Sequence, residues 1–95
     1  MFARSVRSYY KNLKLSTSNV DDIKQVIRSS GSIAANYIEA NESLSKKDFV
    51  MRMNISHKET KKTALWLKLL EAPDELQQEA GELKKILSAI LEKSK

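Results

Sequence analysis

The chain has 95 residues, enough for one domain, with 2 Gly, 1 Pro, 1 His and no Cys. So few glycines and prolines exclude a turn-rich β-barrel and a glycine-rich phosphate loop, and the absence of Cys excludes disulfides and thiolate chemistry. Because 41% of the residues are hydrophobic and 31% are charged, the composition favours amphipathic helices. The net charge of +5 suits an anionic partner but does not require one.

In chain order, the sequence predicts four helices separated by three short breaks. Their expected ranges are residues 2–13, 20–41, 46–71 and 74–93. Asn19 follows a run of turn residues and is the expected cap of the second helix, and Ser45 is the expected cap of the third. Pro73 ends the third helix, and Asp74 is the expected cap of the fourth, with Gln77 three residues later.

Apolar residues recur every three or four positions in the last three helices, which predicts an antiparallel up-down four-helix bundle, an all-α fold. The second and third helices also carry further apolar residues beyond one stripe. These are Val26, Ile33 and Ala40 in the second helix, and Ile55, Leu65, Trp66 and Leu69 in the third. A bundle of this size has a modest core, so we expect self-association to bury this surplus.

The middle of the second helix contains a poor helix-forming run, residues 28–32. We interpret it as a place where another backbone approaches closely, at Ser30, Gly31, Ala34 and Ala35. Tyr37 and Trp66 complete the predicted set of packing or oligomer-interface residues. A phosphate nest is the functional alternative, but it would need a strand-to-helix loop that the sequence does not predict.

Four polar residues are predicted to fix helix pairing and register: Asn36, Glu39, Arg52 and Glu59. His57 is the sole imidazole, and a solvated or helix-linking role is the simplest interpretation. No Glu-x-x-His pair occurs, and no catalytic constellation is recognisable. We therefore predict a protein that is not an enzyme and has no metal and no cofactor.

Basic residues form a stripe on the first helix and recur on the third. They are Arg4, Arg7, Lys11, Lys14, Lys58, Lys61 and Lys62. They are either a solvated helix face or a footprint for the phosphates of RNA or DNA. No aromatic residues are interleaved with them, so such binding would depend weakly on sequence. The alternative function is a structural or protein–protein interaction module.

The N-terminal residues contain no signal-peptide core, and no stretch reaches the roughly 18–20 apolar residues of a membrane span. Together with the absence of Cys, this predicts a cytoplasmic protein without membrane contact.

Several segments together resemble a bacterial protein family. The residues that carry the resemblance are the segment 27–40 (IRSSGSIAANYIEA), the segment 45–49 (SKKDF), Arg52, Lys58-Glu59, Trp66-Leu67, Glu82-Leu83 and Ile86-Leu87. In them the chain is similar to four-helix-bundle proteins named for intervening sequences in 23S ribosomal RNA genes. The resemblance implies an up-down bundle that assembles as a homopentamer, with no catalytic residues to carry over.

The same resemblance extends to the accessory variability determinant of diversity-generating retroelements. It implies nucleic acid and a reverse transcriptase, or another protein, as partners. One position departs from the family pattern: Lys62 stands where a Lys-Glu-x-x-Glu run would have Glu. This departure predicts a changed ion pair between subunits or a stronger basic surface.

Overall fold

The computed structural model describes residues 2–11 and 19–94, and these residues form four α-helices and no strand. The helices are α1 (Phe2–Lys11), α2 (Val20–Asn41), α3 (Lys46–Leu69) and α4 (Asp74–Lys93). The predicted all-α class with four helices is confirmed. The predicted end of the first helix at residue 13, the turn residues 16–18 and the basic residue Lys14 lie outside the described residues.

Within the described residues, α1 packs against α2 and α4, and α3 packs against the same two helices. The four helices therefore form a compact bundle of 44 × 20 × 20 Å in which α1 and α3 occupy opposite corners. Side-chain hydrogen bonds between α2 and α3 join Ser29 to Thr63 and Asn36 to Arg52. The earlier of these two α2 residues thus meets the later of the two α3 residues.

The start of α3 follows the prediction, whereas the start of α2 does not. The Ser45 hydroxyl accepts a hydrogen bond from the Asp48 backbone N–H at 3.1 Å, as a capping side chain does. Asn19 directly precedes α2, but its side chain makes no capping hydrogen bond. The reason is its backbone: Ser45 is extended (φ −133°, ψ 154°), whereas Asn19 has φ −120° and ψ 0°.

The cap of α4 lies one residue earlier than predicted. Pro73, not Asp74, precedes the helix, and its carbonyl accepts a hydrogen bond from the Gln77 N–H at 3.2 Å. Its ring holds φ at −52°, and ψ of 143° turns the chain directly into α4. The Gln77 side-chain amide reaches back and donates to the Ala72 carbonyl at 2.9 Å.

The end of α3 also differs from the prediction, because the helix stops at Leu69 instead of residue 71. Glu71 has φ of 52°, in the left-handed region. Its N–H donates to the Lys68 carbonyl, and the Ala72 N–H donates to the Leu67 carbonyl at 2.9 Å. These two bonds define a Schellman motif, in which the left-handed position is usually Gly.

Two apolar clusters fill the bundle. One contains Val6, Tyr10, Ile23, Val26, Leu67, Ala72, Leu76 and Ala80, and the other contains Ile33, Ala40, Met53 and Leu87. The prediction that Val26, Ile33 and Ala40 form a surplus for self-association is therefore wrong, because all three are buried inside the chain. Since α2 contacts both α1 and α3, its buried face is wider than one stripe.

Candidate functional site

Six polar side chains of α2 and α3 are buried: Ser29, Ser30, Ser56, Glu59, Thr60 and Thr63. Ser29, Ser56, Glu59 and Thr63 form a polar layer between the two helices, whereas Ser30 and Thr60 bond to carbonyls of their own helices. The Ser56 hydroxyl donates to the Ile33 carbonyl across the interface at 2.9 Å. The Thr63 hydroxyl lies 2.7 Å from the Ser29 hydroxyl and 2.8 Å from the Glu59 carbonyl. These hydroxyls are satisfied inside the bundle, so they form a structural layer that fixes how α2 and α3 pair.

Glu59 is the one acidic member of this layer, and only 7% of its surface is exposed. Its carboxylate oxygens lie 3.5 Å from Arg28 Nη2 and 3.6 Å from Lys62 Nζ. Both cations are more than half exposed, so water screens the two ion pairs. Lys62, a predicted nucleic-acid contact, is thus tied to the fold of its own chain.

Asn36 and Arg52 link α2 to α3 near the turn between them. Arg52 Nη1 lies 3.4 Å from Asn36 Oδ1, and the Asn36 amide donates to the Ser32 carbonyl at 3.0 Å. Beside them is an open cavity of about 320 Å³, whose lining includes Glu39, Glu42, Asp48 and Arg52. Glu39 is exposed there and makes no contact with Glu59, because the two acids occupy different levels of the bundle.

The titratable side chains lie in separate places. Glu39 and Glu42 lie at the α2–α3 turn, Glu59 faces Arg28 of α2, and the surroundings of His57 include Lys84 of α4. Within residues 2–11 and 19–94, no group of three or more His, Cys, Asp or Glu side chains could hold a metal ion.

On α1, the described basic residues Arg4, Arg7 and Lys11 are exposed. Arg7, however, folds back: its guanidinium donates to the Ala3 carbonyl at 3.3 Å and to the Ile27 carbonyl at 3.4 Å. A Cβ at Gly31 would lie 2.9 Å from Arg7 Nη2. The close approach at Gly31 is therefore this side chain and not the predicted backbone, because the long Arg7 side chain reaches from α1 to cover the glycine.

On α3, Lys58 and Lys61 are exposed, and His57 beside them is half-buried. Its Nε2 atom is buried and has no hydrogen-bond partner. Burial lowers the pKa of His57, and the positive charges of Lys61 and Lys84 lower it further.

Lys84 was not among the predicted basic contacts. The signal that marks it is an α4 face without acids, formed by Gly81, Lys84 and Ser88.

An apolar groove of about 260 Å³ runs between α1, α2 and α4. It is lined by Phe2, Ala3, Ser30, Ile33, Ala34, Tyr37, Leu83, Ile86 and Leu87. Tyr37 remains 41% exposed and Ile86 54% exposed at this groove. Three predicted packing residues, Ser30, Ala34 and Tyr37, therefore come together here. Trp66 does not join them, because it lies on α3, half-buried against the first apolar cluster.

The additional apolar residues of α3 are more exposed than those of α2. Leu65 and Leu69 are exposed, and Ile55 is half-buried.

None of the helices in the described part of the chain is both long and apolar enough to cross a membrane.

These features define a four-helix protein with an internal polar layer, exposed cations and an open apolar groove. Residues 1–94 match the family model described as 23S rRNA-intervening sequence protein, and the chain belongs to this family. A crystal structure at 1.70 Å from Bacteroides thetaiotaomicron VPI-5482 is similar to it, with 32% identity and a TM-score of 0.85 over 95% of this chain and 91% of that one. That protein is described as one of unknown function from the S23 ribosomal protein family. No curated protein matches the chain significantly.

Proposed function

We propose that the protein is a non-enzymatic homo-oligomer that binds the sugar-phosphate backbone of RNA or DNA through exposed basic side chains. The observation that carries this proposal is the distribution of ion pairs. Between described residues, the ion pairs within 4.0 Å all involve Glu59, which engages Arg28 and Lys62. Other exposed cations on α1 and α3, including four of the predicted basic residues, have no described carboxylate at that distance and are available to phosphates. These four are Arg4, Lys11, Lys58 and Lys61.

The proposal includes an antiparallel up-down arrangement of the helices. It is supported by the order of the α2–α3 contacts, which join Ser29 to Thr63 and Asn36 to Arg52. The connections between α2 and α3 and between α3 and α4 are only four residues long, which favours antiparallel neighbours.

Self-association is supported by the apolar groove. Tyr37 and Ile86 leave apolar surface at its rim exposed to water, and a second copy would cover it. The number five comes from the family resemblance alone. Sedimentation velocity at micromolar concentration tests this part: we expect a pentamer, converted to smaller species by Ile86→Asp. A monomeric wild-type chain would contradict it.

The absence of catalysis is supported by the scattered acids. A general acid–base pair needs two titratable groups near one substrate, and Glu39, Glu59 and His57 lie apart.

We also propose a cytoplasmic location and the relation to the accessory variability determinant, with a reverse transcriptase as one candidate partner.

A structural or protein-interaction module is the second candidate function. The exposed apolar side chains of Leu65 and Leu69 on α3 favour it, because a protein partner would bury them. This function predicts binding to a defined protein that is lost on Leu65→Asp and keeps its affinity as salt rises.

The binding experiment decides between these functions. Fluorescence anisotropy with a short RNA duplex and a short DNA duplex, at about 50 mM salt and above, should show binding that weakens steeply as salt rises. Because the contacts are to phosphates, scrambling the duplex sequence should change the affinity little. If neither duplex binds at about 50 mM salt, the nucleic-acid function is wrong.

A further inference from the structure

We propose that the phosphate contacts lie in the groove between α3 and α4, where His57 and Lys61 of α3 meet Lys84 of α4. We call this surface the α3–α4 groove. The inference rests on the proposed function, which leaves open the face of the bundle that nucleic acid contacts.

The first support is the convergence of positive charge from two helices. His57 and Lys61 are four residues apart, so they lie on one face of α3, one turn from each other. After burial itself, the causes that lower the pKa of His57 are Lys61 on its own helix and Lys84 on α4. Because α3 packs directly against α4, a side chain of α4 can reach the surroundings of His57, and the effect of the Lys84 charge on His57 agrees with this packing. Both lysines are exposed to solvent.

The second support is the absence of carboxylates from the two helix faces that meet at this groove. On α3 the positions 54, 57, 61 and 64 are Asn, His, Lys and Ala, and on α4 the positions 77, 81, 84 and 88 are Gln, Gly, Lys and Ser. The exposed acid Glu82 precedes Lys84 by two residues and therefore lies on a different face of α4, where its carboxylate accepts a hydrogen bond from the Gln78 amide at 3.5 Å. No acid on these faces competes with a phosphate for the two lysines.

The third support is open space beside Lys84. A Cβ at Gly81 would meet nothing within 4 Å, so the surface above this glycine is empty. Gly81 precedes Lys84 by three residues and lies about 4.5 Å from it along the helix axis. A phosphate seated between Lys61 and Lys84 can therefore approach the α4 backbone closely, which a larger side chain at position 81 would hinder.

The basic residues of α1 are less suited than Lys61 and Lys84 to bind the same phosphate backbone. Arg7 is bound to backbone carbonyls of its own chain, and α1 occupies the corner of the bundle opposite α3. A phosphate seated between Lys61 and Lys84 lies between α3 and α4, and among the described residues α1 does not pack against α3. The other described cations of α1, Arg4 and Lys11, thus serve as a comparison for the test.

The test compares three double variants that each remove two positive charges. Lys61→Gln with Lys84→Gln changes the α3–α4 groove, and Arg4→Gln with Lys11→Gln changes α1. Lys46→Gln with Lys47→Gln is the matched control, because these exposed lysines begin α3 about 21 Å along the helix from Lys61. Each variant is measured by anisotropy against the short RNA duplex and the short DNA duplex over a salt series, and its fold is checked by circular dichroism.

We expect the groove variant to lose roughly tenfold in affinity, with a salt slope reduced by about 0.9 for each lost phosphate contact. The control and α1 variants should stay within about twofold of wild type. If wild type binds but the groove variant matches the control, the α3–α4 site is wrong while the proposed function stands. If wild type binds neither duplex, the proposed function fails, and the site with it. Gly81→Leu, whose side chain fills the open space without changing charge, should also weaken binding, and unchanged binding would contradict the close approach to α4.

Discussion

The two faces of α3 differ in whether their lysine is paired with a carboxylate. Toward α2, Lys62 is paired with the buried carboxylate of Glu59, which also engages Arg28. Toward α4, Lys61 and Lys84 share their surroundings with His57, and no carboxylate lies on the faces that meet there. Lys61 and Lys62 are adjacent in sequence, but a helix turns by about 100° per residue, so they face different neighbours. A count of lysines therefore says less about function than their placement around the helix.

Loss of a polar group should lower the stability of the protein more on the α2 side of α3 than on the α4 side. Thr63→Val keeps the side-chain shape but removes the hydroxyl that contacts Ser29 and the Glu59 carbonyl. We expect a loss of about 1–2 kcal/mol in the free energy of unfolding, measured by urea denaturation. The double variant with Ser29→Ala should lose less than the sum of the two single variants, because both buried partners are then removed. Strict additivity would mean that the two hydroxyls do not interact.

A substitution at the end of α3 should increase the stability of the protein. Glu71→Gly should raise the free energy of unfolding by up to about 1 kcal/mol, because Gly adopts the left-handed conformation of Glu71 without the steric cost of a Cβ. Glu71→Ala is the control, since Ala keeps the Cβ and removes only the carboxylate. Equal stability of the Gly and Ala variants would show that the left-handed backbone is not the source of the effect.

Substitutions of the adjacent residues Lys61 and Lys62 should change stability only slightly, and they compare the two faces of α3 directly. Lys62→Gln should lower the free energy of unfolding by about 0.2–0.5 kcal/mol, because it breaks an exposed pair with Glu59. Lys61→Gln should leave stability unchanged, since the Lys61 ammonium group has no described carboxylate within 4.0 Å. Thermal denaturation at low salt measures both variants. A larger loss for Lys61→Gln than for Lys62→Gln would reverse the roles assigned to the two faces.

The pH dependence of stability should carry a small contribution from His57. Its pKa in the folded protein is lowered by burial and by Lys61 and Lys84, so the folded state binds the proton less readily than the unfolded chain. The contribution is fully present above the unfolded pKa of about 6.5 and is lost as pH falls below it. His57→Gln should therefore weaken the decline in unfolding free energy between about pH 7.5 and about pH 5.5. The same decline in both proteins would contradict this prediction.

The sequence predicted the features that depend on local chemistry. Helix periodicity, Ser45 as a cap and Pro73 as a break all follow from short-range preferences, and α2 and α4 occupy the predicted residues. The left-handed end at Glu71 was not predictable, because the residue there is not Gly.

The parts of the candidate site were harder to predict, because they depend on how each helix is turned toward its neighbours. Periodicity did not show that α2 buries Val26 and Ile33 within the chain, since that depends on contact with both α1 and α3. Nor did it separate Lys61 from Lys62, or bring Lys84 to His57. These depend on the relative positions of two helices, which the spacing within one helix does not specify.

The single histidine reports directly on whether nucleic acid occupies the α3–α4 groove. The pKa of His57 can be followed by NMR of the labelled ring, in the free protein and with saturating RNA duplex. A phosphate bound between Lys61 and Lys84 would offset their positive charges, so we expect the duplex to raise the pKa of His57. If RNA binds and the pKa of His57 stays unchanged, nucleic acid does not occupy the α3–α4 groove.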